Sequence, residues 1–165
     1  MDEASVRRIL DANHNRVAEG LRVVEEFVRF QMQDPYLTGQ IKQLRHDLQH
    51  VFQGFGSLAE IIARDARGDV GRHTKTNDEF LRQDAADLLA ANWQRVQQGL
   101  RVIEEYSKFL SADQAVACEQ LRYRAYTLAK ATQITHDAQS RLAAARLYVL
   151  IPACDSLTQF ERLVG

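Results

Sequence analysis

The segment NHNRVAEGLRVVEEFVRF, residues 13–30, occurs twice in this chain. The second copy is NWQRVQQGLRVIEEYSKF at residues 92–109, and the two align without gaps at an offset of 79 residues. Ten of the 18 aligned pairs are identical, among them asparagine, arginine, glycine and glutamate. Core packing alone would have kept only the apolar residues. We call residues 13–30 the first copy and residues 92–109 the second copy.

The first copy lies in a long stretch of helical periodicity. Apolar residues recur three or four positions apart and predict a helix over residues 3–32. Asp34 and Pro35 then resemble an N-cap and a first helical residue, so a second helix is expected over 35–53. Capping-box patterns predict further helices over 57–66 and from about 77 to 110. A last long helix is expected from residue 111 to 136 or beyond.

The two long helical stretches share a second motif, which indicates the fold. Gln-Leu-Arg occurs at 43–45 and again at 120–122, so each repeat is predicted to be a helical hairpin. A period near 79 is too long, and two copies too few, for a solenoid. We therefore expect an all-α bundle of two repeated long hairpins about a pseudo-two-fold axis, within residues 1–140. The repeats span about 3–66 and about 77–138.

The last 20 residues change character. RLYVLI at 146–151 is a short apolar run before Pro152 and favours a β-strand, and Ser156 begins a new helical pattern. A strand followed by a partial helix is typical of a first βα unit. We expect residues 141–165 to be the truncated start of a second domain.

Composition excludes several function classes. The net charge is −1, with 45% hydrophobic and 26% charged residues, so no bulk field attracts nucleic acid or a membrane surface. The chain starts with Met1-Asp2-Glu3, which is not a leader, and no apolar run reaches membrane-spanning length. Cys118 and Cys154 match no ligand spacing. They indicate reduced thiols and a cytoplasmic protein.

A helical wheel separates the polar residues of each copy into two sets. Arg22, Glu26 and Glu19 fall on the solvated side, where Arg22–Glu26, like Arg101–Glu105, predicts a surface ion pair. Buried polar groups need partners, and a glycine within a helix costs about 1 kcal/mol against alanine. The second set falls within the apolar arc and comprises Asn13, Arg16 and Gly20 with their equivalents Asn92, Arg95 and Gly99.

Two interpretations of this second set stay open. In the first, the glycines let two helices cross closely, while asparagine and arginine cap neighbouring backbone groups. In the second, the glycines open a notch in which asparagine and arginine bind an anionic or heterocyclic ligand. Arg45 and Arg122, in or beside the apolar arcs of their own helices, favour the second, because four converging arginines require an anionic partner.

The glycine-containing loop at 67–75 is the candidate for covering such a site. Asp69 within it is our candidate for a catalytic and magnesium-binding residue, and Glu25 is the other candidate for proton transfer. A plain solvated turn is an equal alternative for this loop. No nucleotide-binding glycine motif is present in the sequence.

The motif set as a whole resembles a known family. LDANHNRVAEGLRVVEEFVRF, LRHDL, RGDVG, ANWQRVQQGLRVIEEYSKF and EQLRYRAYTL, followed by RLYVLI, are similar to the helical domain that precedes the barrel in a subset of thiamine-phosphate synthases. The resemblance implies that RLYVLI is the first strand of a (β/α)8 barrel. The family's barrel joins hydroxymethylpyrimidine diphosphate to a thiazole phosphate, using barrel loops that this chain does not include.

For the helical domain, the resemblance implies binding or phosphorylation of hydroxymethylpyrimidine phosphate, with ATP and Mg²⁺ as cofactors. The notch of asparagine, arginine and glycine would then hold the pyrimidine phosphate. The expected partners are this small molecule, the chain's own C-terminal barrel and a second copy in a homodimer. The alternative is a non-catalytic module that dimerises or braces the barrel.

Overall fold

The computed structural model describes residues 1–55, 84–146 and 156–164, and every element within them is helical. The helices are α1 (Glu3–Phe27), continued by a π-helical turn (Val28–Met32), α2 (Pro35–Gln53), α3 (Ala85–Ser107), α4 (Ala112–Ala144) and α5 (Leu157–Val164). The all-α prediction is confirmed for these ranges. The predicted helix at 57–66, the loop carrying Asp69 and nearly all of the predicted strand at 146–151 lie outside them.

Side-chain caps fix the helix starts where the sequence predicts them. The Asp34 side chain accepts a hydrogen bond from the backbone N–H of Leu37 at 2.9 Å, and Pro35 occupies the first turn of α2. The Ser111 hydroxyl likewise accepts from the N–H of Gln114 at the start of α4. Each cap satisfies a backbone donor that the helix itself leaves unpaired.

The helix that carries the second copy begins later than predicted. Asp84 has an extended backbone, with φ −156° and ψ −173°, and its side chain accepts from the N–H of Asp87. The helix predicted to run unbroken from about residue 77 therefore starts at Ala85. Two capping patterns lie close together in this sequence, and local pattern alone does not say which of them begins α3.

The four long helices form a closed ring. α1 packs against α2 and α3, and α4 packs against α3 and α2. The most extensive contact is between α1 and α3, which brings the first and second copies face to face. Buried residues recur every three or four positions on both helices, as this packing requires. They include Val6, Leu10, Val17, Leu21 and Val24 on α1 and Leu89, Val96, Leu100 and Ile103 on α3.

The end of α1 is held by α4. The π-helical turn ends at Met32, and the residue that caps it, Gln33, has a φ of 53°, the one positive value at a non-glycine residue in the described ranges. The side chain of Gln139 on α4 donates a hydrogen bond to the Met32 carbonyl at 3.0 Å, and the ring of His136 packs edge-on against Phe27. α4 therefore supports the turn that redirects the chain into α2.

Candidate functional site

Two glycines allow α1 and α3 to cross closely. A Cβ atom at Gly20 would lie 2.9 Å from Cγ2 of Val96, and one at Gly99 would lie 2.5 Å from Cγ2 of Val17. Val17 and Val96 occupy equivalent positions in the two copies, so the contacts are reciprocal. The first interpretation of the glycines, close helix crossing, is what the structure shows.

Asn13 and Asn92 lie beside this crossing and are 7% and 4% exposed. Each side-chain amide donates to a carbonyl one turn earlier in its own helix, Asn13 to Ile9 at 2.9 Å and Asn92 to Leu88 at 2.8 Å. Because a carbonyl can only accept, the atom facing it must be the amide nitrogen, and this determines the orientation of each side-chain amide. No described residue donates a hydrogen bond to either side-chain oxygen, so within this part of the chain both stay available as acceptors.

An open cleft lies beside this crossing. Its volume is about 660 Å³. The walls come from five aligned pairs, one member from each copy. The ten residues are Asn13, Arg16, Glu19, Gly20 and Val23 on α1 and Asn92, Arg95, Gln98, Gly99 and Val102 on α3.

Arg16 and Arg95 are the basic residues of this cleft. Both are exposed, and neither forms an ion pair with any residue in the described part of the chain. Among the described residues, Glu19 is the one acidic residue on the walls. These described walls therefore carry a net positive charge of one, with two guanidinium groups that no described residue pairs.

Arg45 and Arg122 are not on the cleft walls. Arg45 Nε donates to Glu25 Oε2 at 2.9 Å, and Arg122 Nε donates to Glu104 Oε2 at 2.5 Å. The expected convergence of four unbalanced arginines is therefore not what the structure shows. A wheel gives the direction of each arginine on its own helix, but it does not show the glutamate on the helix opposite.

These two pairs also account for the glutamates that the copies share. Glu25 and Glu104 are 6% and 4% exposed, so each is a buried charge neutralised by an arginine of the following helix. Glu25, a sequence candidate for proton transfer, is committed to this pair. The hydrogen bond to Glu104 raises the pKa of Arg122 above its ordinary value, which keeps its charge fixed.

The solvated side of each copy is as predicted. Arg22 pairs with Glu26 at 2.9 Å and Arg101 with Glu105 at 2.7 Å, both on the surface. Glu19 is also exposed, as predicted, and it lies on a cleft wall. It and its equivalent Gln98 were missed as site residues, although their position three residues after each arginine was a usable signal.

The described ranges contain no group of three or more His, Cys, Asp or Glu side chains that could hold a metal ion. Asp69, the candidate magnesium ligand, lies outside these ranges. Within them, no helix is both long and apolar enough to cross a membrane.

Comparison with known proteins gives a consistent set of relatives. A thiamine-phosphate synthase of Rhodopirellula baltica is 40% identical over 158 residues, which cover 93% of this chain and 42% of the relative. The thiamine-phosphate synthase of Gloeobacter violaceus is 41% identical, covering 91% of this chain and 42% of its own. That of a Synechocystis strain is 45% identical over 131 residues, which are 78% of this chain and 37% of the relative. This chain thus spans less than half the length of these relatives.

Among solved structures, none matches this chain significantly. The family comparison is more specific, because the ThiD2 family model matches residues 8–131. That range includes both copies, the whole of α2 and α3 and all ten cleft residues. The chain therefore belongs to the ThiD2 family.

Proposed function

We propose that this chain binds a phosphorylated pyrimidine in the cleft between α1 and α3 and acts in thiamine biosynthesis. The observation that carries the proposal is a pair of guanidinium groups, Arg16 and Arg95, on the walls of one cleft and without an ion-pair partner among the described residues. The names of the relatives support the pathway, since the three described above are called thiamine-phosphate synthases.

The cleft chemistry matches a small aromatic phosphate such as hydroxymethylpyrimidine phosphate. A guanidinium forms paired hydrogen bonds with phosphate oxygens. The side-chain oxygens of Asn13 and Asn92, which have no donor among the described residues, can accept hydrogen bonds, as an amino group on a pyrimidine ring requires. Val23 and Val102 supply apolar wall for the ring.

The reaction we propose is phosphorylation of this ligand, the finer role implied by the family resemblance. The terminal phosphoryl group of ATP passes to an oxygen of the ligand's phosphate, so a new P–O–P bond forms, the β–γ bond breaks and ADP leaves. Arg16 and Arg95 would hold phosphate oxygens and offset their charge during this transfer.

In this proposal Mg²⁺ is coordinated mainly by the substrate phosphates rather than by a full set of protein ligands. Mg²⁺ is commonly held by one or two carboxylates together with substrate phosphates. Glu19 is the carboxylate on the cleft walls, and Asp69 stays our candidate for a second. When bound, the ion would neutralise phosphate charge.

We further propose one helical domain of two hairpins related by a pseudo-two-fold axis, followed by the start of a barrel; the boundary expected at 140/141 lies within α4, so we place it after Ala144. The reciprocal glycine–valine contacts and the two equivalent glutamate–arginine pairs support the internal symmetry. The greater length of the relatives supports a partner barrel. In this proposal the protein acts in the cytoplasm.

Binding and turnover test the proposed function separately. Calorimetry of the full chain with hydroxymethylpyrimidine phosphate should show binding, and ADP release should require this ligand, ATP and Mg²⁺ together. Arg16→Ala and Arg95→Ala should each weaken binding at least tenfold, from loss of charge-assisted hydrogen bonds. Arg22→Ala, an exposed arginine on the same helix paired with Glu26, is the matched control and should bind like the wild type. Absence of binding in the wild type would refute the proposal.

One observation favours the alternative, a module that dimerises or braces a barrel. Phe30 and Phe109 are equivalent residues of the two copies and are 63% and 65% exposed. Two large rings open to water at matched positions suit a contact surface. Sedimentation of the wild type and of Phe30→Ser/Phe109→Ser should then show a dimer that the double variant loses. A monomeric wild type would contradict dimerisation.

A further inference from the structure

The helices α1 and α3 run in opposite directions where they cross. A Cβ atom at Gly20 would meet Val96, whereas a Cβ atom at Gly99 would meet Val17. Residue numbers therefore fall along α3 as they rise along α1. Equivalent residues of the two copies lie on opposite sides of the crossing point, and each faces a different residue of the other copy.

This register orders the wall residues along the cleft. Asn13 lies at the level of Val102 at one end, and Asn92 lies at the level of Val23 at the other. Each end therefore joins an asparagine of one copy to a valine of the other. Counted along α1, the two asparagines are about ten residues apart, which is about 15 Å at a rise of about 1.5 Å per residue.

The two arginines lie between these ends. Counted in the same way, Arg16 and Arg95 are about four residues apart, or about 6 Å along the helix. Because arginine side chains are long, both guanidinium groups can reach one phosphate or two phosphates in contact. The middle of the cleft is therefore its anion-binding part. Each end has instead an apolar wall and an amide oxygen that accepts hydrogen bonds.

A pyrimidine phosphate can occupy only one end together with the middle. One methylene group and one oxygen separate its ring from its phosphorus, so it cannot span the distance between the two asparagines. The other end has the same asparagine and valine and stays unused by this ligand. ATP, the second substrate of the proposed reaction, likewise joins a flat ring with an amino group to a chain of phosphates.

We infer that the two ends of the cleft bind two different substrates, the pyrimidine ring at one end and the adenine ring at the other, with their phosphates meeting between Arg16 and Arg95. This inference rests on the proposed function and adds the site of its second substrate. In the middle of the cleft, a phosphate oxygen of the pyrimidine ligand attacks the terminal phosphorus of ATP. The β–γ bond breaks, and ADP leaves with its electron pair.

Calorimetry of the full chain tests this arrangement with two probes, hydroxymethylpyrimidine phosphate and the non-hydrolysable nucleotide β,γ-methylene-ATP with Mg²⁺. Each should bind once per chain and should still bind when the other is saturating. Asn13→Ala should weaken one probe about fivefold by removing a hydrogen-bond acceptor, and Asn92→Ala should weaken the other. Displacement of one probe by the other, two pyrimidine phosphates per chain, or loss of the same probe in both variants would overturn the inference.

Two blocking variants test which residues share an end. Val102→Trp fills the end that contains Asn13, and Val23→Trp fills the end that contains Asn92. Each tryptophan should weaken at least tenfold the same probe that the alanine at its own end weakens. The opposite assignment, in which Val23 acts with Asn13 of its own helix, would overturn the inference. Thermal melts establish that each variant is folded, and the asparagine variants decide the question if a tryptophan is not tolerated.

The shared middle of the cleft gives a third measurement. Arg16→Ala and Arg95→Ala should each weaken both probes, because the phosphates of both lie between these residues. Arg22→Ala, whose arginine pairs with Glu26 on the surface, is the matched control and should change neither. Two arginine variants that each affect the pyrimidine phosphate alone would contradict a shared middle.

The outcomes separate this inference from the proposed function. If the pyrimidine phosphate binds, but the nucleotide binds without any dependence on the two ends, the proposed function stands and the inference fails. If the pyrimidine phosphate does not bind to the wild type, the proposed function is refuted and the inference falls with it.

Discussion

The two halves of the bundle contain the same buried ion pair in different surroundings. In the first half, Glu25 pairs with Arg45, whose side chain is 28% exposed. In the second, Glu104 pairs with Arg122, whose side chain is 10% exposed. The guanidinium of Arg122 also lies over the rings of Tyr123 and Tyr126, 4.6 Å and 5.5 Å from their centroids. A second arginine, Arg101, donates to Glu104 at 2.7 Å.

This difference shows that the energetic role of a repeated contact depends on its access to water. A charge that loses its partner costs little where water can replace that partner, and much where it cannot. Arg45 has a route to solvent, whereas Arg122 is enclosed by its helix and two tyrosines. The second half should therefore be the less tolerant of change.

The largest effect is expected for Glu104→Gln, which leaves Arg122 buried without a negative charge. We expect a loss of about 3–5 kcal/mol in the free energy of unfolding. Glu25→Gln should cost less, about 1–2 kcal/mol, because Arg45 can be hydrated. Urea unfolding of the two variants at pH 7 measures both values. Equal losses would show that the greater burial of Arg122 has no energetic consequence.

The next effect concerns the crossing glycines. Gly99→Ala should destabilise the protein by about 1–3 kcal/mol, because its methyl group would overlap Cγ2 of Val17. Gly20→Ala should cost less, since its nearest approach, to Val96, is longer. Gly39→Ala is the control. It lies in α2 with nothing within 4 Å of the added carbon and should stabilise by about 1 kcal/mol. A stabilising Gly99→Ala would contradict the close crossing.

A smaller effect is expected where the two halves meet at Asp47 and Arg124, which form an ion pair between α2 and α4. Partial burial opposes ionisation of Asp47, but hydrogen bonds from Arg124 and Gln43 outweigh it, so its pKa lies below the ordinary value. The stability from this pair is therefore present above the unfolded-state pKa and lost as the pH falls through the folded-state pKa. Because both side chains are partly exposed, it should amount to about 1 kcal/mol or less.

Asp47→Asn tests this by urea unfolding at several pH values. The variant should be slightly less stable than the wild type at pH 6, and the difference should shrink in acid below about pH 4. Arg124→Ala should have little further effect in the Asp47→Asn background. A difference that grows as the pH falls would have the wrong sign for this pair.

The last comparison concerns the reactivity of a buried thiol rather than the stability of the protein. The second half buries Ser107 against Cys118, with their Oγ and Sγ atoms 3.8 Å apart. The equivalent buried residues of the first half are Val28 and Ile41. Burial raises the pKa of the Cys118 thiol to about 11, with Glu104 adding to the shift against an opposing hydrogen bond from Ser107. In a Cys154→Ser variant, Cys118 should not react with a disulfide reagent at pH 8 until urea is added. Rapid labelling of the folded protein would contradict the burial.

The sequence was sufficient for most of the fold, because helical period and caps are local. The bounds of α1 with its π-helical turn, and of α2, follow from apolar spacing and from Asp34-Pro35. The start of α3 could not be predicted, because Asp84 and the pattern at residue 76 are both acceptable caps. Only packing of the whole chain chooses between them.

The candidate site was predicted in part. Asn13, Arg16 and Gly20 and their three equivalents do line one cleft, although their ligand stays a prediction. Arg45 and Arg122 were misplaced because the partner of a side chain on another helix is a tertiary property. Glu19 is exposed, as predicted, but a helical wheel does not show that the exposed edge of α1 borders a cleft against α3.

The reciprocal contacts at that crossing also constrain how this sequence can evolve. Each glycine faces a valine from the other copy, so the steric cost of enlarging Gly99 depends on the size of Val17, and that of enlarging Gly20 depends on Val96. Substitutions at these paired positions are therefore epistatic: Gly99→Ala should be tolerated far better when Val17→Ala is already present. In sequences that evolve from this one, a larger residue should replace either glycine only after the valine that faces it has been replaced by a smaller residue.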